Sequence, residues 1–306
     1  MQRFLSYIVL RTIRQISTEL HQQLAAQYPV TEVDSFIRIL FGHYLNLTPS
    51  QIHLSQDNEL PAAVETQILA AIADLKKYRP IQYIIGETEF YGLRFEVTPD
   101  VLIPRSETEE LVDWIMHKYD RDAALSIIDI GAGSGCIAVA LAVGFRHANV
   151  CAVDISETAL AVAQRNALKN SVKINFLLSD VLKDNMMGFK PDSLDVVVSN
   201  PPYIALSEKQ QILPNVLEYE PHQALFAPDC DFLIFFKRIA DFGMKCLKPN
   251  GKIFFEINET IPEEVMDILK QHGYSEVTAR KDINGKWRMV SGRKKSSELP
   301  IMSEII

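Results

Sequence analysis

Asn200-Pro201-Pro202-Tyr203 is the stretch of this 306-residue chain whose residue types and order are best suited to chemistry. It follows Leu194-Asp195-Val196-Val197-Val198-Ser199, an apolar run that reads as a buried strand. The side-chain oxygen of Asn200 and the backbone carbonyl of Pro201 both accept hydrogen bonds and lie close together along the chain. The prolines donate no N–H and fix the local φ, so the two acceptors are held stiffly. Tyr203 adds a flat ring on which a planar group can lie. Such a clamp fits a neutral, planar –NH2 group with two N–H donors: a carboxamide, or the exocyclic amine of a base. By itself the stretch reads equally well as a proline turn closing a strand. The elements that must position it decide between the two.

Upstream, Ile127-Ile128-Asp129-Ile130 runs into Gly131-Ala132-Gly133-Ser134-Gly135, and Cys136 to Ala142 then reads as a helix. This is a strand, a tight turn and a helix, with glycines that let a ligand approach the backbone. The spacing is G-x-G-x-G rather than the dinucleotide G-x-G-x-x-G, and Asp129 precedes it. A pyrophosphate site avoids nearby negative charge, so an acid here suits a cationic group such as an α-ammonium. Asn149-Val150-Cys151-Ala152-Val153-Asp154 is a second strand ending in an acid, 19 residues after Gly135. A carboxylate at that tip can accept both hydroxyls of a ribose. Phe176-Leu177-Leu178-Ser179-Asp180 ends in a third acid, a natural partner for an adenine amine, with Val181 beside the base. Each acid alone is an ordinary strand-end residue, and Ser156 after Asp154 is a ready helix cap. Three of them on the carboxyl edge of one sheet describe a ligand site.

Asp129, the glycine turn, Asp154, Asp180 and Asn200-Pro201-Pro202-Tyr203 together resemble an S-adenosylmethionine-dependent methyltransferase. More narrowly, the chain is similar to the family that methylates the side-chain nitrogen of glutamine in peptide chain release factors. The narrower likeness rests on Arg79 to Gly86, Phe90-Tyr91-Gly92, Val101 to Val112, Tyr219 to Phe226, and Gly285 to Arg293. It departs from the family's pattern at Ser106, where a proline is usual, at Ala227 to Asp231, where a glycine-rich run is usual, and at Asn258, where glycine is preferred. None of these touches the clamp or the three acids.

The resemblance implies a Rossmann-like α/β sheet of seven strands, the last pair antiparallel, preceded by a small helical bundle and a β-hairpin linker. Its domains are expected at 1–78 (helical, substrate docking), 79–104 (linker) and 105–293 (methyltransferase), with a tail over 294–306. It implies S-adenosyl-L-methionine held by Asp129, Gly131, Ala132, Gly133, Ser134, Gly135, Asp154, Asp180, Val181 and Asn200. The acceptor amide then lies between Asn200, Pro201, Pro202 and Tyr203, and no metal takes part. Asn200 and the Pro201 carbonyl orient the acceptor nitrogen and stabilise positive charge developing on it. Proton loss can follow transfer, so no histidine base is needed. A glutamine methyltransferase of a large-subunit ribosomal protein and a DNA adenine-N6 methyltransferase would use the same clamp, the latter on a flipped base. A dinucleotide-dependent dehydrogenase fits neither the glycine spacing nor the proline clamp.

Composition narrows the partners. With 31 Lys and Arg against 39 Asp and Glu, the net charge of −8 opposes a grip on duplex nucleic acid. A basic protein surface is a better complement, and release factors are the expected partners of a monomeric enzyme. Cys136, Cys151, Cys230 and Cys246 lack metal-ligand spacing and read as reduced thiols of a cytoplasmic protein. The early apolar segment Tyr7 to Leu10 is cut short by Arg11 and Arg14, so no membrane span is expected.

Residues up to about 78 show helical periodicity, as in Val33, Phe36, Ile37 and Leu40, entered through Thr31 or Asp34 as a cap. Thr48-Pro49-Ser50 starts a short helix, and Pro61 opens a longer one that stops before Lys76 and Lys77. Leu93 to Val97 alternates as a hairpin strand, with Gly86 and Gly92 at turns. Strands are expected near 125–130, 149–153, 173–178, 194–199 and 252–257, with late strands around Glu276-Val277 and Trp287 to Ser291. A helix from Ile261 to His272 stops at Gly273. The tail ending Ile305-Ile306 has no expected structure.

Overall fold

The computed structural model describes residues 10–183 and 188–296, so Tyr7 to Val9 and the end of the tail lie outside the described residues. The fold divides into two units. One takes the residues up to Gly86 together with Pro214–Tyr219; the other takes Glu87–Leu213 and everything from Glu220 onward.

The first unit is helical: α1 (Ile13–Leu24), α2 (Val30–Leu45), α3 (Pro49–Leu54), α4 (Ala62–Leu75) and α5 (Ile81–Ile85). Thr12 and Thr48 each form a capping box, with Gln15 and Gln51 respectively. α2 starts at Val30 behind Pro29, before the expected caps Thr31 and Asp34, and no side chain caps it. Proline's fixed φ, here −59°, sets the entry instead. Ile16, Leu20, Leu40, Phe41, Ile68 and Ile72 face one another in a closed apolar core. Their three- and four-residue spacing is the reason these segments are helices.

The second unit opens with the hairpin β1 (Glu87–Phe90) and β2 (Leu93–Glu96), turned through Tyr91 and Gly92, both at positive φ. Then follow α6 (Ser106–Met116), β3 (Ser126–Ile130), α7 (Cys136–Gly144), β4 (Asn149–Asp154), α8 (Glu157–Lys169), β5 (Asn175–Leu178) and β6 (Leu194–Ser199). Short elements come next: β7 (Ile204–Ala205), a 3-10 turn over Leu206–Gln211, α9 (Pro214–Tyr219, in the first unit), α10 (His222–Leu225) and β8 (Phe226–Ala227). The unit closes with α11 (Ile234–Cys246), β9 (Leu247–Glu256), α12 (Pro262–Gln271), β10 (Ser275–Lys281) and β11 (Trp287–Arg293).

Seven strands form one sheet in the order β10-β11-β9-β6-β3-β4-β5. β5, β4, β3, β6 and β9 are parallel; β11 runs antiparallel between β9 and β10. This is the expected seven-stranded sheet with antiparallel closing strands. The central strands are nearly continuous apolar runs because helices cover both faces. One face packs Ile127, Val196, Val198 and Phe254 against α6 and α7; the other packs Ile128, Val197, Ile253 and Phe255 against α11 and α12. The chain winds outward from β3 in both directions, first through β4 and β5, then back through β6 and β9. That reversal leaves a crevice at the carboxyl ends of β3, β4 and β6, where sheets of this kind bind ligands.

Candidate active site

The crevice is a cavity of about 570 Å³, within the roughly 300–1,000 Å³ of small-molecule sites. Its walls include Gly131 and Gly133 after β3, Asp154 at the tip of β4, Asp180 and Val181 after β5, and Asn200, Pro201 and Pro202 after β6. Four strand-end segments far apart in sequence thus meet on one surface.

The glycine turn is built by backbone hydrogen bonds. The Gly131 and Ala132 amides both donate to the Val153 carbonyl, at 2.8 and 3.0 Å. Gly131, Gly133 and Gly135 have φ of +77°, +53° and +77°, values that side chains resist. A Cβ placed on Gly131 or Gly133 would meet nothing within 4 Å, so both present bare backbone to the open cavity. Gly135 differs: a Cβ there would lie 2.9 Å from the Ala163 Cβ of α8. Its smallness serves helix packing.

Asp154 is fixed by two amides, Gly133 N–H to Oδ2 at 2.8 Å and Ser156 N–H to Oδ1 at 2.9 Å. Burial raises its pKa, and the backbone N–H bonds oppose that rise. Each oxygen keeps a lone pair for a ligand hydroxyl. Ser156 also caps α8, accepting from the Ala159 amide. Asp180 Oδ1 accepts from the Leu182 amide at 2.9 Å, and Lys183 stands 3.2 Å from Oδ2.

Not every expected site residue reaches the cavity wall. Asp129 is fully buried behind the glycine turn, where its Oδ2 accepts from the Ala138 amide in the first turn of α7 at 3.1 Å. Its Oδ1 has no partner among the described residues. Burial pushes its pKa up to about 7, opposed by the Ala138 bond and reinforced by the charge of Asp154. A cationic ligand group would feel this carboxylate across the turn. Ala132, Ser134 and Gly135 likewise form the body of the turn rather than the cavity surface.

Tyr203 lines a separate cleft of about 280 Å³ with Ile204, Glu208, Ile212, Asn258, Glu259 and Arg288, so the departure at Asn258, expected to lie clear of the clamp, borders it. Burial holds its hydroxyl well above the usual phenol range. The Asn-Pro-Pro-Tyr stretch therefore borders two spaces: its first three residues face the large cavity, and its last faces the small cleft.

Behind Asn200 lies a buried polar chain. The Thr108 hydroxyl of α6 donates to Glu256 Oε2 of β9 at 2.6 Å, and Asn200 Nδ2 donates to Thr108 Oγ1 at 3.4 Å. Ser199 fastens the same sheet edge, donating to the Ile130 carbonyl at 2.6 Å. Thr108 lies within the Val101 to Val112 segment that carries the family likeness, but nothing local pairs it with Glu256, 148 residues away. Asp100, Val101 and Leu102 of the loop after the hairpin also line the large cavity, as do Phe226 and Ala227. Arg105 turns elsewhere, donating at 2.6 Å to the buried Glu220 and so bracing that loop.

A sheet of this order, with a glycine turn and acids at successive strand tips, defines a class I S-adenosylmethionine-dependent methyltransferase. A methyltransferase small domain matches residues 108–225, and a PrmC N-terminal domain matches residues 15–86. The fold is shared with a 16S rRNA N2 G1207 methyltransferase of T. thermophilus, at 16% identity and a TM-score of 0.51 over 68% of this chain and 50% of that one. A release factor glutamine methyltransferase of Flavobacterium psychrophilum is 41% identical over 91% of this chain and 98% of its own length. One from Bacteroides thetaiotaomicron is 39% identical over 92% and 100%. The chain belongs to the release factor glutamine methyltransferase family.

The residues present fit the cofactor of that class. Gly131 and Gly133 leave open the space that a Cβ would fill, and Asp154 stands rigidly beside them. When bound there, S-adenosylmethionine supplies an electrophilic methyl group on a sulfonium. Among the described residues, no helix is long and apolar enough to cross a membrane.

Proposed function

We propose that this protein methylates the side-chain nitrogen of the glutamine in the Gly-Gly-Gln motif of peptide chain release factors. In this reading Asp154 receives the ribose hydroxyls, Asp180 and Val181 the adenine, and the bare backbone of Gly131 and Gly133 the amino-acid portion of the cofactor. The acceptor glutamine enters by the Tyr203 cleft and presents its –NH2 to Asn200 Oδ1 and the Pro201 carbonyl. An amide nitrogen is a poor nucleophile, since its lone pair is delocalised into the carbonyl. Two acceptors that hold it in line, and that stabilise charge as the bond forms, address that weakness directly. Residues 1–78 dock the protein substrate and 79–104 link the domains; the enzyme acts as a monomer in the cytoplasm.

The observation that carries this reading is the position of Asn200-Pro201-Pro202 on the cofactor cavity with Tyr203 opening onto a neighbouring cleft. The test is transfer of labelled methyl to a release factor, to the same factor with the motif glutamine replaced, to a large-subunit ribosomal protein, and to a DNA duplex. Label is expected only on the intact release factor. Label on the glutamine-replaced factor would overturn the proposed acceptor, and label on DNA would favour the flipped-base alternative.

A further inference from the structure

The Asn200 carboxamide can sit in two orientations that differ by exchanging oxygen and nitrogen, and only one offers an acceptor to the substrate. What selects between them is the group of Glu256, Thr108 and Asn200, in which Glu256 holds the Asn200 side chain through Thr108 and also by a hydrogen bond of its own. A hydroxyl has a single proton. The Thr108 proton is committed to Glu256 Oε2 at 2.6 Å, the short range of a bond to an ionised carboxylate. The Thr108 oxygen can then only accept, and it accepts from Asn200 Nδ2. With nitrogen held on that side, Oδ1 turns toward the opposite side of the amide.

We infer that Thr108 and Glu256 are positioning residues for methyl transfer: together they orient the Asn200 amide so that its oxygen, not its nitrogen, meets the acceptor. The inference rests on the acceptor-binding role proposed for Asn200. It assigns work to a buried carboxylate and a buried hydroxyl that the cofactor site does not use.

The setting of Glu256 makes this orientation sensitive to protonation. The residue is 2% exposed, on β9. Burial, the largest influence, raises its pKa to about 7; Thr108, Arg288 of β11 and Asn200 lower it, and Glu107 of α6 raises it. Tyr203 and Cys136 also sense its charge. With Glu256 protonated, the carboxyl can donate to Thr108, whose hydroxyl is then released to donate to Asn200 Oδ1. The amide would then turn its oxygen inward. The active form is therefore the ionised one, present above the folded pKa and lost as pH falls through it.

The experiment measures kcat, and KM for S-adenosylmethionine, from pH 5.5 to 9 with a Gly-Gly-Gln release factor, and cofactor affinity by calorimetry. At saturating S-adenosylmethionine, wild type should show an acid limb in kcat near pH 7; any weakening of cofactor binding as Asp129 protonates is read separately by calorimetry and should be the same in Glu256→Gln. Thr108→Val should lower kcat roughly tenfold, the effect of losing one orienting hydrogen bond, while cofactor Kd stays within about threefold. Thr108→Ser should restore most of the rate, because it returns the hydroxyl. Glu256→Gln, which cannot ionise, should remove the acid limb even if it is slower overall. Wild-type kcat in Thr108→Val, or an unchanged acid limb in Glu256→Gln, overturns the inference. Should Thr108→Val fail to fold, the Thr108→Ser rate and the Glu256→Gln profile decide alone. Asn200→Ala run alongside separates the two levels: an undiminished rate there defeats the role given to Asn200 itself, whereas a slow Asn200→Ala beside a fast Thr108→Val defeats only the positioning chain.

Discussion

Gly135→Ala and Gly133→Ala should fail in different ways, although the two glycines stand two residues apart in one turn. At Gly135 the new methyl would lie 2.9 Å from the Ala163 Cβ and 3.3 Å from its Cα. Carbon atoms settle at about 3.5–4.0 Å, so the overlap is several tenths of an ångström against a helix backbone that cannot rotate away. Left-handed φ costs a non-glycine residue about 1–2 kcal/mol, and overpacking a filled site about 1–3 kcal/mol. The sum, about 2–5 kcal/mol, corresponds to a Tm loss of roughly 5–15 °C for a domain of this size. Gly133→Ala carries only the φ cost, about 1–2 kcal/mol, because nothing lies within 4 Å. Its methyl instead occupies the cavity wall, so S-adenosylmethionine should bind at least about tenfold more weakly, the effect of about 1.4 kcal/mol. The assays are thermal unfolding and calorimetric titration of the cofactor. Ala163→Gly added to Gly135→Ala should recover about 1–2 kcal/mol beyond additivity, since contacting sites couple. If Gly135→Ala is no less stable than Gly133→Ala, and Ala163→Gly brings no excess recovery, the division of labour within the turn is wrong.

Asn200→Ala should reduce kcat by about 100-fold or more, comparable to removing one oxyanion-hole group, while calorimetry finds cofactor affinity nearly intact. An equal loss in both would mean that Asn200 serves the cofactor. Arg105→Ala strands the Glu220 carboxylate, whose side chain is 1% exposed while that of Arg105 is 35% exposed. Solvent screening of the arginine reduces the usual cost of breaking a buried pair to about 2 kcal/mol, readable by urea unfolding, and Glu220→Gln in the same chain should return part of it. Asp129 has a folded pKa of about 7, raised by burial from 3.8. Folding therefore takes up a proton between those values, and this carboxyl's contribution to stability is greatest at the acid end and declines as pH rises toward 7. Asp129→Asn should flatten the fall in unfolding free energy between pH 5 and 7; an unchanged slope would show that the carboxylate ionises as it would in water.

Local pattern settled much of this protein. Continuous apolar runs placed β3, β4 and β6 to within a residue or two, because strands buried on both faces need no polar positions. Thr48-Pro49 and Pro61 marked helix starts through chemistry that acts within one turn. The glycine turn and Asn-Pro-Pro-Tyr were legible for the same reason: each is a contiguous segment whose backbone preferences and donor or acceptor content belong to adjacent residues.

Tertiary structure decided the rest. Nothing in the order of residues says that Asp129 is sealed behind the turn while Asp154 stands on the cavity wall, since both are acids near a strand end; the difference is which groups pack over them. Gly133 and Gly135 look alike in a motif, and only the approach of α8 separates a ligand face from a packing contact. The Thr108–Glu256 pair joins a helix before the first sheet strand to the end of β9, and Asp100 to Leu102 reach the cavity from the loop before α6. Hydrogen bonds and cavity walls form between whichever groups the fold brings within a few ångströms. Proximity of that kind is a property of the closed sheet and its covering helices, not of neighbours along the chain.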